Sequence, residues 1–198
     1  GSAWIMVETR RHRIVFSGDL GNTSAHLNQY SKPPSADTLF LESTYGDFEN
    51  HRKFESAKTE LWQELTHAVK NEIPVLIPTF AVGRSQEILQ LIRDRFVQLS
   101  ESKRSEWDVI VDGMAQDGTQ IYNAWGRGQY VQESINNRIS ENHDNTPFLP
   151  ECARLLPDEV THDEVLDGES SPIIISTSGM LVGGPSPSYL LHLVKKYD

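Results

Sequence analysis

Cysteine is nearly absent from this chain. Cys152 is the single one among 198 residues, which excludes an intrachain disulfide and a cysteine-rich zinc site. It reads as an inert loop thiol, and a reducing, cytoplasmic setting fits it. No run approaches the roughly 18 apolar residues of a membrane span, so no membrane partner is expected. The opening Gly1-Ser2-Ala3-Trp4 lacks the charged region and apolar run of a signal peptide. Lysine is scarce, at 7 against 11 arginines, and 28 acidic residues bring the net charge to −10. This excludes a general nucleic-acid coat, because phosphate binding draws on Lys and Arg. A local basic groove on an acidic body stays possible. The seven histidines are scattered (His12, His26, His51, His67, His143, His162 and His192), and no two are separated by a single residue. A hydrolytic zinc site needs several such ligands converging on the metal.

What is present is an ordinary globular composition, 37% hydrophobic and 23% charged, enough for one domain or one domain with a piece of another. Residues 4–8 and 13–17 read as short strands around the basic turn Arg10-Arg11-His12. Residues 22–36 read as a polar loop ending in Pro33-Pro34. Residues 37–42 read as a third strand, closing on the turn-rich Ser43-Thr44-Tyr45-Gly46-Asp47. Apolar residues at helical spacing mark 53–71 and 84–99 as amphipathic helices. Between them Pro74–Pro78 is a compact apolar strand. Trp107–Val111 is the next strand, 117–140 is helical with a break near Gly126 and Gly128, and 141–171 is mainly an excursion. Pro172–Ser176 is the last strand and Ser186–Lys196 the last helix.

From residue 37 onward strands and helices alternate, which predicts an α/β fold with a parallel sheet covered on both faces. In such sheets ligands lie beyond the carboxyl ends of the strands. Three Ser-, Thr- and Gly-rich segments occupy that place: Glu42–Asp47, Thr79–Arg84 and Thr177–Gly184. Their backbone N–H groups, with the helix starts at Arg84 and Ser186, suit an anion.

At these segments the sequence resembles a known family. Phe16-Ser17-Gly18-Asp19-Leu20-Gly21 resembles the fourth metallo-β-lactamase motif. Leu41-Glu42-Ser43-Thr44-Tyr45-Gly46-Asp47 looks like motif A of the β-CASP ribonucleases. Ile77–Leu89, with its Thr79-Phe80-Ala81-Val82-Gly83-Arg84 core, and Ser176–Gly184, with its Ser178-Gly179-Met180, are similar to later β-CASP segments. Val111-Asp112-Gly113-Met114-Ala115 fits the strand-to-helix turn of that family. The order of the four motifs, each at a strand end, carries the resemblance. It is nearest to the archaeal and bacterial mRNA 3′-end processing type.

The resemblance implies a Rossmann-like β-CASP domain over residues 32–198, after a remnant of the metallo-β-lactamase domain over 1–31. It implies a parent enzyme that hydrolyses single-stranded RNA with two zinc ions, with a homodimer of that full-length parent as an open expectation. The His-x-His-x-Asp-His motif that supplies most zinc ligands is not in this sequence. Gly1-Ser2-Ala3 matches the stretch after a further histidine ligand, or else Gly1-Ser2 is a cloning remnant, and the two later histidine motifs would follow Asp198. The expectation is therefore a β-CASP portion that is inactive alone and holds no tight metal.

Residue by residue, Asp19 is implied as the metal-bridging aspartate of the parent; the alternative is a turn residue capping local N–H groups. Glu42 is implied as the motif A acid, paired in relatives with a histidine and therefore less constrained here; the alternative is a strand-end salt bridge. Arg84 suits bidentate phosphate contact or an ion pair with Glu87. Thr177, Ser178 and Gly179 offer a hydroxyl and backbone donors to phosphate, or form a helix-entry turn. Tyr45 would stack on a base or pack on the sheet. The tryptophans read as core or interface. Two other functions stay open: a non-catalytic scaffold for RNA-processing partners, and a DNA-processing nuclease.

Overall fold

The computed structural model describes residues 3–21, 26–27, 32–47, 52–168 and 170–197. The expectations attached to Gly1-Ser2 and to the end at Asp198, and much of the 22–36 loop, lie outside these residues.

Two sheets organise the chain. The first is three-stranded, in the order β1 (Ile5–Glu8), β2 (Arg13–Phe16), β3 (Thr38–Phe40). β1 and β2 are an antiparallel hairpin, and β3 runs parallel to β2. Thr9 closes the hairpin: its hydroxyl oxygen accepts the His12 N–H at 3.0 Å, which leaves Arg10 and Arg11 on the outside. β3 was expected to open the parallel α/β sheet. It joins β2 instead, because the long 22–36 connection lets it return alongside the strand that precedes it.

The second sheet has four parallel strands in the order β4 (Val75–Pro78), β7 (Ile173–Ser176), β5 (Val109–Asp112), β6 (Ala153–Leu155). Its two central strands are buried along their whole length, as their unbroken Val/Ile runs require when helices cover both faces. On one face Val109, Val111, Ile173 and Ile175 pack against Leu65 of α1 (Phe54–Lys70), Leu89, Ile92 and Phe96 of α2 (Arg84–Phe96), and Ala115 of α4 (Met114–Trp125). On the other, Ile110 and Ile174 meet Val165 and Leu166 of α6 (His162–Asp167) and Tyr189 of α7 (Ser186–Tyr197). The alternation of neighbours along each strand follows from the period of two. A short α3 (Glu101–Arg104) leads into β5.

Two further departures from the sequence reading appear. Residues 141–171 are not simply an excursion: they hold the edge strand β6 and helix α6. Both are short, and α6 is announced only by its capping box, in which the Thr161 N–H donates to Glu164 at 2.7 Å and the Glu164 N–H to Thr161 Oγ1 at 3.3 Å. The helix after β5 begins at Met114. It breaks at Gly126, as expected, and passes through a 3-10 turn at Gly128–Tyr130 into α5 (Glu133–Glu141).

Residues 26–27, in the connection between β2 and β3, meet the α/β body. His26 Nε2 meets Asp94 of α2 at 2.9 Å. Leu27 forms a bridge with Val131, and its carbonyl accepts from Gln132 Nε2 at 2.9 Å. Among the described residues no helix is long and apolar enough to cross a membrane.

Candidate functional site

Each candidate side chain belongs to one of two groups. The first is built on the three-stranded sheet. β2 ends at Phe16, and Ser17-Gly18-Asp19 turns away with Gly18 at φ 58°, a conformation glycine adopts without strain. The Ser17 hydroxyl donates to the Gly18 carbonyl at 2.7 Å and accepts the Glu42 N–H at 2.9 Å. It thereby clips the loop after β3 to the loop after β2. The Glu42 carboxylate completes the clip. One oxygen accepts the Leu20 N–H at 3.0 Å and the other the Thr44 N–H at 2.8 Å.

These donors, led by Thr44 and then Leu20, hold the Glu42 carboxyl below its usual range. Glu42 is thus fixed in the ionised state beside the Asp19 turn. Glu42 was expected to be less constrained without a histidine partner; here two backbone donors hold it. Asp19 is exposed, and so is Tyr45, at 69%. An open space of about 530 Å³ runs beside Asp19, between Trp4, Val15, Leu20 and Leu41.

The second group lies on the carboxyl rim of the four-stranded sheet. The Thr79 N–H donates to the Ser176 carbonyl at 2.8 Å, so the loops after β4 and β7 start side by side. Gly179 packs on the first of them: a Cβ there would lie 3.1 Å from the Thr79 carbonyl carbon. Buried Gln86 shapes the same loop from α2. It accepts the Gly83 N–H at 2.7 Å and donates to the Ala81 carbonyl at 3.2 Å and to Thr119 Oγ1 at 3.1 Å.

Thr177, Ser178 and Gly179 thus lie beside the loop that leads to Arg84, as expected, but the Glu42–Asp47 segment, expected on the same rim, follows β3 in the other sheet because that strand pairs with β2. Several of the polar groups on this rim are already engaged, however. Thr177 is buried, and its hydroxyl oxygen accepts the Met114 N–H at 3.2 Å. The Ser178 N–H donates to the Gly183 carbonyl at 3.0 Å, and its hydroxyl oxygen accepts the Val182 N–H at 3.1 Å. The Ser-Gly-Met segment is first of all a self-closed helix-entry turn. Arg84 pairs with Glu87 at 3.0 Å, yet its side chain stays 63% exposed, so the guanidinium face is still presented to solvent. Around it the rim is apolar: Phe80, Val82, Met114, Met180 and Val182 are all exposed.

Sequence reasoning missed one cluster at this rim. Asp112, at the end of β5, is buried, and its Oδ2 lies 3.2 Å from His162 Nε2. His162 in turn packs on the ring of fully buried Tyr189, with centroids 4.5 Å apart. Burial first, then the Asp112 carboxylate, pushes the Tyr189 hydroxyl up. The Val111-Asp112-Gly113 turn was visible in the sequence, but nothing there paired it with α6. Of the tryptophans, Trp62 and Trp107 stack at 4.7 Å in the core, whereas Trp125 is exposed. Cys152 is mostly buried and its thiol is pushed up to about 12, in keeping with an inert role.

The zinc ions implied by the resemblance do not fit the described residues by themselves. Among these residues no three His, Cys, Asp or Glu side chains are placed to hold a metal. Asp19 alone presents one carboxylate, short of the three or four ligands a zinc centre takes.

Comparison with known proteins matches these segments to one family. The chain is 31% identical over 185 residues to transcription termination factor FttA of Methanocaldococcus jannaschii, covering 92% of this chain and 28% of that protein. It is 33% identical over 187 residues to FttA of Thermococcus kodakarensis, with 92% and 28% covered. With FttA of Methanothermobacter thermautotrophicus it shares 30% identity over 191 residues, with 95% and 29% covered. The chain thus spans less than a third of the length of these relatives. A Beta-Casp domain profile matches residues 85–198, the stretch that carries α2, β5 to β7 and the Thr177–Gly184 loop, and the chain belongs to the β-CASP family.

Proposed function

We propose that this chain is the β-CASP portion, with a metallo-β-lactamase remnant over residues 1–31, of a longer polypeptide that hydrolyses single-stranded RNA with zinc. The observation that carries the reading is the Glu42 clip. A carboxylate held ionised by the N–H groups of Leu20 and Thr44 fixes the Asp19 turn against the Glu42–Asp47 loop. That is the juxtaposition a hydrolytic centre needs if both acids serve it. Asp19 is the one ligand this chain would give the metal, and the remaining ligands would come from the rest of the parent.

Because the relatives named above are transcription termination factors, the RNA substrate is proposed to be a transcript at or near its 3′ end. Exposed Arg84 and Tyr45 would meet its phosphates and bases. The Ser178 hydroxyl oxygen, already engaged in its own turn, and Gly179, packed on Thr79, would shape the path rather than grip it.

The test is RNA cleavage in the presence of zinc, comparing the full-length parent with this chain. The parent cleaves and the isolated chain does not. Asp19→Ala in the parent lowers the rate by about a hundredfold or more, as removal of a ligand that positions the metal would. Parental cleavage that survives this change defeats the reading.

A further inference from the structure

Trp125, the last residue of α4, is 75% exposed, and Tyr130, at the end of the 3-10 turn, is 67% exposed. Tryptophan is on average one of the best-covered side chains. Arg127 stands between the two rings in the sequence and is exposed as well. Its side chain forms no ion pair among the described residues. The carboxylates nearest in sequence, Asp117 and Glu133, lie in the first turns of α4 and α5, where they complement the positive helix ends.

The backbone that carries these three side chains is fixed. A Cβ on Gly126 would lie 2.5 Å from the Tyr122 carbonyl oxygen and 2.6 Å from the Phe148 ring, so the chain is pressed onto the core there. Two residues on, the Gly128 N–H donates to Asn136 Oδ1 at 2.7 Å and its carbonyl accepts from Asn136 Nδ2 at 2.9 Å. Val131 then turns inward and pairs with Leu27. A loop ordered in this way pays little further entropy when a ligand binds.

Two exposed rings with a free guanidinium between them are the elements of a single-stranded nucleic-acid platform. Bases stack on the rings, and the cation meets phosphate. A protein partner would need a wider apolar surface. From residue 117 to 133 the only large aliphatic side chain that is exposed is Ile121, and its surroundings include the exposed Gln120, Ala124 and Gln129. The loop is also tied to the chain that leads from Asp19. The Gln132 N–H donates to the His26 carbonyl at 3.0 Å, and the seven residues from Asp19 to His26 span at most about 25 Å.

We propose that Trp125, Arg127 and Tyr130 form a second contact for single-stranded RNA, stacking unpaired bases of the strand that passes the Asp19 turn. The proposal rests on the RNA-cleaving reading given above and adds to it a place where the substrate is gripped by its bases.

A labelled oligoadenylate of about twelve nucleotides, within the span of such sites, is titrated with this 198-residue chain. Fluorescence anisotropy and intrinsic tryptophan fluorescence are followed together. The expected result is saturable binding that quenches the fluorescence. Trp125→Ala weakens it about tenfold, the loss of roughly one stacked base, and removes most of the quenching, whereas Trp125→Phe keeps most of the affinity. Arg127→Gln makes the salt dependence shallower by one phosphate contact. The same oligoadenylate paired with oligouridylate binds more weakly, because its bases are no longer open to the rings. The substituted side chains are exposed, and circular dichroism checks that each variant folds. Binding indifferent to both Trp125→Ala and Tyr130→Ala, equal binding of the duplex, or no binding at all overturns the proposal. So does a dimer in sedimentation that Trp125→Ala dissolves, in the absence of RNA binding. Affinity that resists these variants but falls with Arg84→Gln overturns this platform alone and leaves the RNA reading standing; that reading is tested apart, by cleavage in the parent.

Discussion

One carboxylate oxygen of Glu42 accepts the backbone N–H of Leu20 at 3.0 Å, across 22 residues of chain. This bond, with its companion from Thr44, joins the turn that carries Asp19 to the loop that carries Tyr45. It is the structural core of the functional reading, and it is sensitive to pH in a defined direction. The Glu42 carboxyl titrates below its ordinary 4.5 in the folded chain. Its contribution is therefore fully present above that value and is lost as pH falls through the folded pKa. Hydrogen exchange at Leu20 and Thr44 is expected to lose protection in acid below about pH 4.5, while Ile110 and Ile174 stay protected. In Glu42→Gln both amides should exchange faster at neutral pH and show no acid step. An acid step that persists in the variant would mean that another group holds the turn.

Gln86 makes a second testable link, this time within the rim. It is fully buried and bonds Gly83, Ala81 and Thr119. Gln86→Leu keeps most of the volume but leaves the Gly83 N–H and the Ala81 carbonyl without their partner. The expected loss of stability is about 2–3 kcal/mol, measured by urea unfolding. A neutral result would show that the loop between β4 and α2 holds its shape without the glutamine.

Gly113 joins the β5 and β7 ends. Its φ is +67°, and a Cβ there would lie 2.4 Å from Thr177 Oγ1 and 2.8 Å from Pro185. Gly113→Ala combines backbone strain with a clash against the loop that carries Ser178. A destabilisation of roughly 2–4 kcal/mol is expected, with the largest chemical-shift changes at Thr177 and Met114. Shifts confined to residues 112–114 would indicate that the two loops are less tightly coupled than the contact distances imply.

Much of this was legible in the sequence, for identifiable reasons. Val109–Val111 and Ile173–Ile175 are continuous apolar runs, which only a strand covered on both faces accommodates, so the two central strands could be read directly. α1 and α2 carry apolar residues at helical spacing, and Gly126 marks the break after α4. β6 and α6 escaped because three- and six-residue elements carry no periodicity to detect. β3 was placed in the wrong sheet because strand pairing is a long-range property, and its local pattern is the same whichever neighbour it takes.

The sequence by itself determined the α/β class, the elements that run long enough to show a period, and the order of motifs ending in Ser178-Gly179-Met180. Those are local consequences of side-chain spacing and turn chemistry. The tertiary structure alone decided which groups are engaged. Glu42 is gripped by Leu20 and Thr44, the Ser178 N–H and hydroxyl oxygen are engaged inside their own turn, Arg84 leans on Glu87, and Asp112 meets His162 across 50 residues. Hydrogen-bond partners are fixed by geometry over distances that residue spacing does not encode, so the identity of a polar side chain names what it can do and only the fold shows what it is already doing.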